Sequence, residues 1–236
     1  MACSLIQSNG YVLFPQILSK DKIDLLHKDF MRLLEQHIFT TDPNRGANRY
    51  QMHLPFEAPF ILPEIVSNSL IMPLVEKILG KGFTCNYLAS DTPLPGSDYQ
   101  EVHSDTSDLF PEAAISLPPA CLALNIPLVD FTLENGPLEI WAGGTHLMPS
   151  SRLMKDLAPK MHSELVLMPA GSLLLRDMRM WHRGTPNRSN KPRPNMALIY
   201  SRPWLKSYYP PISISRSTYE TLSEQAKSLF RLENIT

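Results

Sequence analysis

From residue 83 onward the chain is written in short β-like runs separated by turn residues. Strands are expected near Phe83–Ser90, Tyr99–Asp105, Cys121–Leu128, Leu138–Trp141, Leu165–Met168, Ser172–Arg176, Met178–His182 and Met196–Arg202. Between them lie Pro93–Gly96, Glu134–Gly136, Ala142–Gly144 and Pro186–Asn190, stretches rich in residues that favour turns. Many short strands with regular turn signals argue for a sandwich or barrel rather than alternating β-α units. Twenty-two prolines beside ten glycines point the same way, away from a helical bundle.

The first third reads differently. Ser19 is placed to cap a helix running to about His37, with Ile23, Leu26, Phe30 and Leu33 three and four apart. Residues 41–60 turn polar, aromatic and basic, with Pro43, Gly46, Pro55 and Pro59 as breakers. Asn68 is expected to open a second helix carrying Leu70, Leu74 and Ile78 and closed by Gly80, with Pro73 tolerated only near its start. Ser217 and Glu220 form a capping-box pattern for a final helix. With no repeats or linker-like tracts, residues 1–236 read as one domain: a helical layer and lid over 1–82, a β core over 83–204 and a helical extension over 205–236.

The bulk numbers exclude several classes. A formal net charge of −1 gives no basic excess for nucleic acid. Cys3, Cys85 and Cys121 are scattered and form no CxxC pair, which argues against a disulfide framework or structural zinc. No apolar run approaches a membrane span, and the first residues lack the basic and apolar regions of a signal peptide. A soluble, cytoplasmic protein acting on a small molecule is the expectation. Its oligomeric state is not legible.

His103-Ser104-Asp105 is the first chemical signal. Residues two apart on a strand share a face, so an imidazole and a carboxylate would converge. With a later histidine they make the two-histidine, one-carboxylate triad that leaves open positions on iron(II). Alone the pair is weak, arising by chance in roughly one such chain in three. His182 supplies the later histidine, and Arg193 follows eleven residues on, beyond the Pro186–Asn190 turn. A guanidinium there suits a two-pronged hold on a carboxylate. Arg183, Arg188 and Lys191 are neighbours, so a solvated basic turn is the plainer alternative.

The ordered set of His103-x-Asp105, Glu134-Asn135-Gly136-Pro137-Leu138-Glu139, Gly143-Gly144-Thr145-His146, His182 and Arg193 resembles the phytanoyl-CoA dioxygenase (PhyH-like) superfamily. The likeness runs from Gly10-Tyr11-Val12-Leu13 to about Trp204. It implies a double-stranded β-helix, or jelly roll, and an oxygenase dependent on iron(II), 2-oxoglutarate and O2. By that resemblance His103, Asp105 and His182 hold iron, and Arg193 grips the distal carboxylate of 2-oxoglutarate. Gln100 and Asn125 match positions where relatives contact the co-substrate, though either has a plain structural reading. The chain departs from many relatives at Leu138, where they carry threonine. His146 is expected to hold its turn. Keeping Asp105, where halogenating relatives have glycine or alanine, argues against halogenation; hydroxylation of a C–H bond is the expected outcome, with desaturation, epimerisation and ring formation left open.

For the substrate, Arg45, Arg49, Tyr50 and His53, with Phe56, offer a polar and aromatic lid over residues 45–56, and Phe110 a wall. Trp141 reads as core, and Trp181 is expected to face away from the cavity. Two other readings stay open: an iron oxygenase that needs no 2-oxoglutarate, and a catalytically silent jelly roll that binds a metal or metabolite.

Overall fold

The computed structural model describes residues 1–110, 112, 115–148, 154–205 and 209–236. The chain begins with α1 (Ala2–Asn9), β1 (Tyr11–Phe14), α2 (Lys20–Thr40), β2 (Arg49–His53), α3 (Pro63–Val66) and α4 (Met72–Leu79). The strands β3 (Thr84–Pro93), β4 (Cys121–Pro127) and β5 (Leu138–Ile140) follow, then α5 (Met154–Leu157) and β6 (Glu164–Val166). Next come β7 (Leu173–Asp177), β8 (His182–Gly184) and β9 (Asn195–Ser201). The chain closes with β10 (Ser213–Ile214), α6 (Arg216–Thr221), α7 (Glu224–Leu229) and β11 (Asn234–Ile235).

Six strands form one antiparallel sheet in the order β1-β7-β4-β9-β3-β2, and three form a second in the order β6-β5-β8. Leu13 and Leu174 of the large sheet meet Leu138, Ile140 and Val166 of the small one in a shared apolar cluster, so the sheets pack face to face. The architecture is a double-stranded β-helix, or jelly roll, with helices on the outer face of its large sheet.

Alternation decides what each face carries. In β4, Leu122, Leu124 and Ile126 point to the helices, where they join Leu173 and Leu175 of β7 and Leu198 and Tyr200 of β9. Ile23, Leu26, Phe30 and Leu34 of α2 cover them from above, at the three-and-four spacing of one helix face. That helix stops at Thr40, where Thr41 turns extended, and Pro43 keeps the residue before it, Asp42, from resuming helical dihedrals. The intervening residues Ala123, Asn125, Arg176, Ala197 and Ile199 face inward and line the cavities between the sheets. In β3 the register slips between Cys85 and Leu88, a β-bulge. Cys85 and Leu88 both join the helix-facing core, so Asn86 and Tyr87 both turn inward.

The structure departs from the sequence expectations in several places. The 41–60 stretch is not an open lid: Arg49–His53 is the edge strand β2, paired with β3, and β1 forms the opposite edge. Tyr99–Asp105 is not a regular strand. It bonds to the 178–184 segment only intermittently, through Gln100, His103 and Asp105. Met178–His182 opens with a turn closed by the Met180 N–H on the Asp177 carbonyl, so β8 starts at His182. Asn68 opens the turn that leads into the next helix, its Oδ1 accepting from the Leu70 N–H and its carbonyl from those of Ile71 and Met72, while α4 itself starts only at Met72, with Pro73 in its first turn. Ser215, not Ser217, caps the C-terminal helix α6, accepting from the Thr218 N–H. Helix α1 was not expected: it buries a single apolar residue, Ile6, too little to print a periodic pattern.

Candidate metal centre

His103 sits on the irregular segment opposite β8, in an isolated bridge with His182, and their N–H and carbonyl groups bond reciprocally at 2.9 Å. This bridge sets the two rings with centroids 4.4 Å apart. Asp105 follows, its N–H bonded to the Met178 carbonyl at 2.8 Å. Its Oδ1 lies 3.7 Å from His103 Nε2 and its Oδ2 3.4 Å from His182 Nε2. One donor atom from each residue lies within 4.8 Å of the others.

The donor set fits a metal ion. His103 Nδ1 bonds to the Glu101 carbonyl at 2.8 Å and His182 Nδ1 to the Met180 carbonyl at 2.9 Å. Only N–H donates to a carbonyl, so both Nδ1 atoms carry the proton and both Nε2 lone pairs face the centre. Burial, then the nearby His182, pulls the His103 pKa down, which keeps that ring a neutral ligand. Burial opposes ionisation of Asp105, but Arg176 first and the two histidines after it outweigh this and hold its carboxyl well below the ordinary value. Two neutral imidazoles and one carboxylate on one side of a cavity are the donor set of a site with open positions.

Beside this cluster is a cavity of about 90 Å³ whose walls include the triad, Gln100, Asn125, Arg176 and Arg193. Arg193 is 2 % exposed, with its guanidinium stacked 4.1 Å above the Phe131 ring and 3.9 Å from Asp91. Its Nε has no hydrogen-bond partner among the described residues. Burial lowers its pKa to about 9, Asp91 opposing, so it stays cationic at neutral pH. Gln100 is already engaged: its Oε1 accepts from the Gly184 N–H at 2.9 Å and its Nε2 donates to the Arg45 carbonyl at 3.3 Å. Asn125 Oδ1 accepts from Arg176 Nε at 3.0 Å.

The substrate candidates separate. Arg45 is exposed and lines the mouth of this cavity. Arg49 does not: it is 1 % exposed, pairs with Asp91 at 3.1 Å and donates to the Thr185 carbonyl. A Cβ on Gly184 would come within 2.5 Å of its guanidinium, so Gly184 leaves the room that Arg49 fills. Tyr50 points to the other face of β2, edge-on to His37 of α2, and His53 packs edge-on against Tyr87 outside the cavity walls. Alternation along the paired edge strand turns Tyr50 away, while Arg49 and His53 share the inner face with Gln51 but are taken up by Asp91, Thr185 and Tyr87. Phe110 is 54 % exposed and walls a second, larger cavity. His146 Nε2 bonds to the Gln7 carbonyl at 3.0 Å, tying its turn to α1. Trp141 and Trp181 share a buried cluster away from the triad cavity.

Arg176 escaped the sequence reading. It is 6 % exposed, pairs with Asp105 Oδ2 and leaves one terminal nitrogen unpartnered among the described residues. The available signal was a charge inside the apolar run Leu173–Asp177, because arginine is almost never buried without a partner.

A family model described as phytanoyl-CoA dioxygenase (PhyH) matches residues 6–195. Among solved structures, AviO1 from Streptomyces viridochromogenes Tue57 aligns with a TM-score of 0.66 at 18% identity, covering 87% of this chain and 96% of that one. EctD from S. alaskensis, solved with 2-oxoglutarate and 5-hydroxyectoine, gives 0.65 at 18% identity over 84% and 74%. The non-heme alpha ketoglutarate dependent epimerase SnoN from nogalamycin biosynthesis gives 0.63 at 18% identity over 84% and 80%. At these identities the three structures speak for the fold.

Proposed function

The chain belongs to the phytanoyl-CoA dioxygenase family of non-haem oxygenases that use iron(II) and 2-oxoglutarate, and on that premise we propose that it hydroxylates a C–H bond of a small metabolite. His103, Asp105 and His182 would hold the iron, and Arg193 the far carboxylate of 2-oxoglutarate. The observation that carries this reading is the pair of buried guanidiniums, Arg176 and Arg193, that line the same small cavity as the triad, each with an unpartnered nitrogen. A buried cation with spare donors is costly unless an anion completes it. Arg176 already has Asp105 as its counter-ion, so Arg193 is the cation left to take a carboxylate of the co-substrate.

Bound there, iron(II) supplies activation of dioxygen coupled to decarboxylation of 2-oxoglutarate to succinate. The protein's own residues do the rest. Arg193 binds and orients, because its fork is stacked on Phe131 and cannot swing away. Arg176, steadied by Asn125, fixes the Asp105 carboxylate and leaves that residue one orientation toward the histidines. The small inward side chains Ala123 and Ala197 leave room for the co-substrate between the sheets. With Asp105 keeping the carboxylate position, halogenation is not expected.

The test is anaerobic reconstitution with iron(II) and 2-oxoglutarate, which should give the weak visible charge-transfer band of a chelate. Oxygen should then release succinate. A protein that gives neither would be a silent jelly roll. Turnover that survives Arg193→Ala unchanged would instead mark an iron oxygenase independent of 2-oxoglutarate.

A further inference from the structure

The larger cavity, of about 390 Å³, meets the co-substrate cavity at Asp105, Met178, Ile199 and Tyr209, which line both. Its volume lies in the range of small-molecule sites, about 300–1,000 Å³. Its described walls are largely apolar, with Leu109, Phe110, Leu117, Met148, Met178 and Leu205 among them. Exposed apolar side chains gather at its rim: Phe110 is 54 % exposed, Ile115 62 % and Leu109 40 %.

Polar side chains such as Thr106, Ser107 and Ser116 are interspersed with these apolar walls, but the cation among them is committed. Arg179 is the one arginine among its described walls, and no lysine is among them. Its guanidinium is clamped on Asp177 through Nε and a terminal nitrogen at 2.9 and 2.7 Å, and its other terminal nitrogen donates to the Leu117 carbonyl. Asp108 adds a carboxylate to the wall. Burial raises the Cys121 thiol to about 12, so this wall residue is neutral. An anion entering here would meet no uncommitted arginine or lysine from the described residues. Asn86 is different. It is 8 % exposed, turned inward by the β3 bulge, with Nδ2 donating to Ser201 Oγ at 3.1 Å and Oδ1 buried without a partner among the described residues. A buried amide oxygen of this kind calls for a hydroxyl or N–H from whatever fills the cavity.

Taking the iron centre of the proposed function as given, we propose that the substrate is an uncharged, predominantly apolar molecule seated in this larger cavity, with one hydrogen-bond donor read by Asn86. An acyl-CoA or another polyanionic metabolite would find no uncommitted cation among the described walls. The reach to the metal is direct, since Asp105 forms part of the wall.

The experiment measures binding to metal-free protein without co-substrate, so that its failure leaves the iron reading intact. Four probes share one ring system: 2-naphthylmethanol, 2-methylnaphthalene, 2-naphthoate and 2-naphthylmethylammonium. The neutral alcohol should bind tightest, roughly fivefold better than the hydrocarbon, as one hydrogen bond allows. Ala120→Phe, which adds bulk at a partly buried wall position, should weaken the alcohol about tenfold or more. The visible band with iron(II) and 2-oxoglutarate should survive that change. Asn86→Leu should erase the preference of the alcohol over the hydrocarbon. Tighter binding of the carboxylate or the ammonium, lost in Ala120→Phe, would overturn the proposal. So would alcohol binding that Ala120→Phe leaves unchanged. Loss of the band in the unsubstituted protein would instead remove the iron reading on which the proposal rests.

Discussion

The two faces of the large sheet are made by the same strands and have opposite chemistry. On β4 the helix-facing residues are Leu122, Leu124 and Ile126, each 0 % exposed and each apolar. Their neighbours on the inner face are Cys121, Ala123 and Asn125. Strand β7 repeats the contrast with Leu173 and Leu175 outside and Arg176 within, and β9 with Leu198 and Tyr200 outside and Ala197 within. The outer face is filled to exclude water, whereas the inner face closes on Leu174 at one end and around the triad carries Ala123, Asn125, Arg176 and Ala197, which leave room. Stability and function are thus assigned to alternate residues of one strand, which a period of two permits.

Substitutions on the two faces should therefore fail in opposite ways, and the widest gap is expected between His103→Ala and Leu124→Ala. His103 is partly exposed, and its ring is held by one backbone carbonyl. Its removal should abolish iron binding and turnover while the thermal midpoint of the metal-free protein stays nearly unchanged. Leu124→Ala opens a cavity under α2 and should cost about 2–5 kcal/mol. The protein that remains folded should still give the iron–2-oxoglutarate band. Denaturant melts read beside that band check both arms. A His103→Ala protein that unfolds would break the division.

Arg193 tests the inner face more finely. Truncating one partner of a buried charged contact typically costs about 2–5 kcal/mol, so Arg193→Ala should raise the KM for 2-oxoglutarate by roughly 100-fold. Arg193→Lys should recover only part of this, because an ammonium lacks the planar fork and cannot stack on Phe131 in the same way. Steady-state kinetics at varied 2-oxoglutarate separate these outcomes. A KM that does not move would show that the guanidinium is structural.

The same contrast governs how much was legible in the sequence. The outer face announces itself, since Ile23, Leu26 and Phe30 of α2 fall at helical spacing and the β4 leucines alternate. His103 and Asp105 were legible because they are close in sequence. His182 and Arg193 became legible through their order along the chain. Arg176 was hidden, since its partners Asp105 and Asn125 are 71 and 51 residues away. The β3 bulge, which turns both Asn86 and Tyr87 inward, is a property of pairing with β9 and leaves no local mark. Arg49 and Tyr50 were misread because a polar, proline-flanked stretch looks like a loop until its pairing with β3 is known.

The smallest expected effect lies where the inner face is closed rather than open. Tyr11 of β1 packs against the cluster that joins the sheets, and its hydroxyl donates to Glu164 Oε1 of β6 at 3.1 Å. Burial, then the nearby Glu164 carboxylate, raises its phenol from 10.0 to about 12. The folded state therefore keeps this proton longer than the unfolded chain does. The sign follows from linkage: the contribution is complete below the unfolded value and is lost as pH rises from about 10 toward 12. Because Tyr11 is only partly buried, the loss should be modest. Tyr11→Phe removes the titrating group, so its urea midpoint should fall less than that of the unsubstituted protein across this window. Parallel curves for the two proteins would mean that the tie between β1 and β6 adds nothing, and that apolar packing alone closes this end of the inner face.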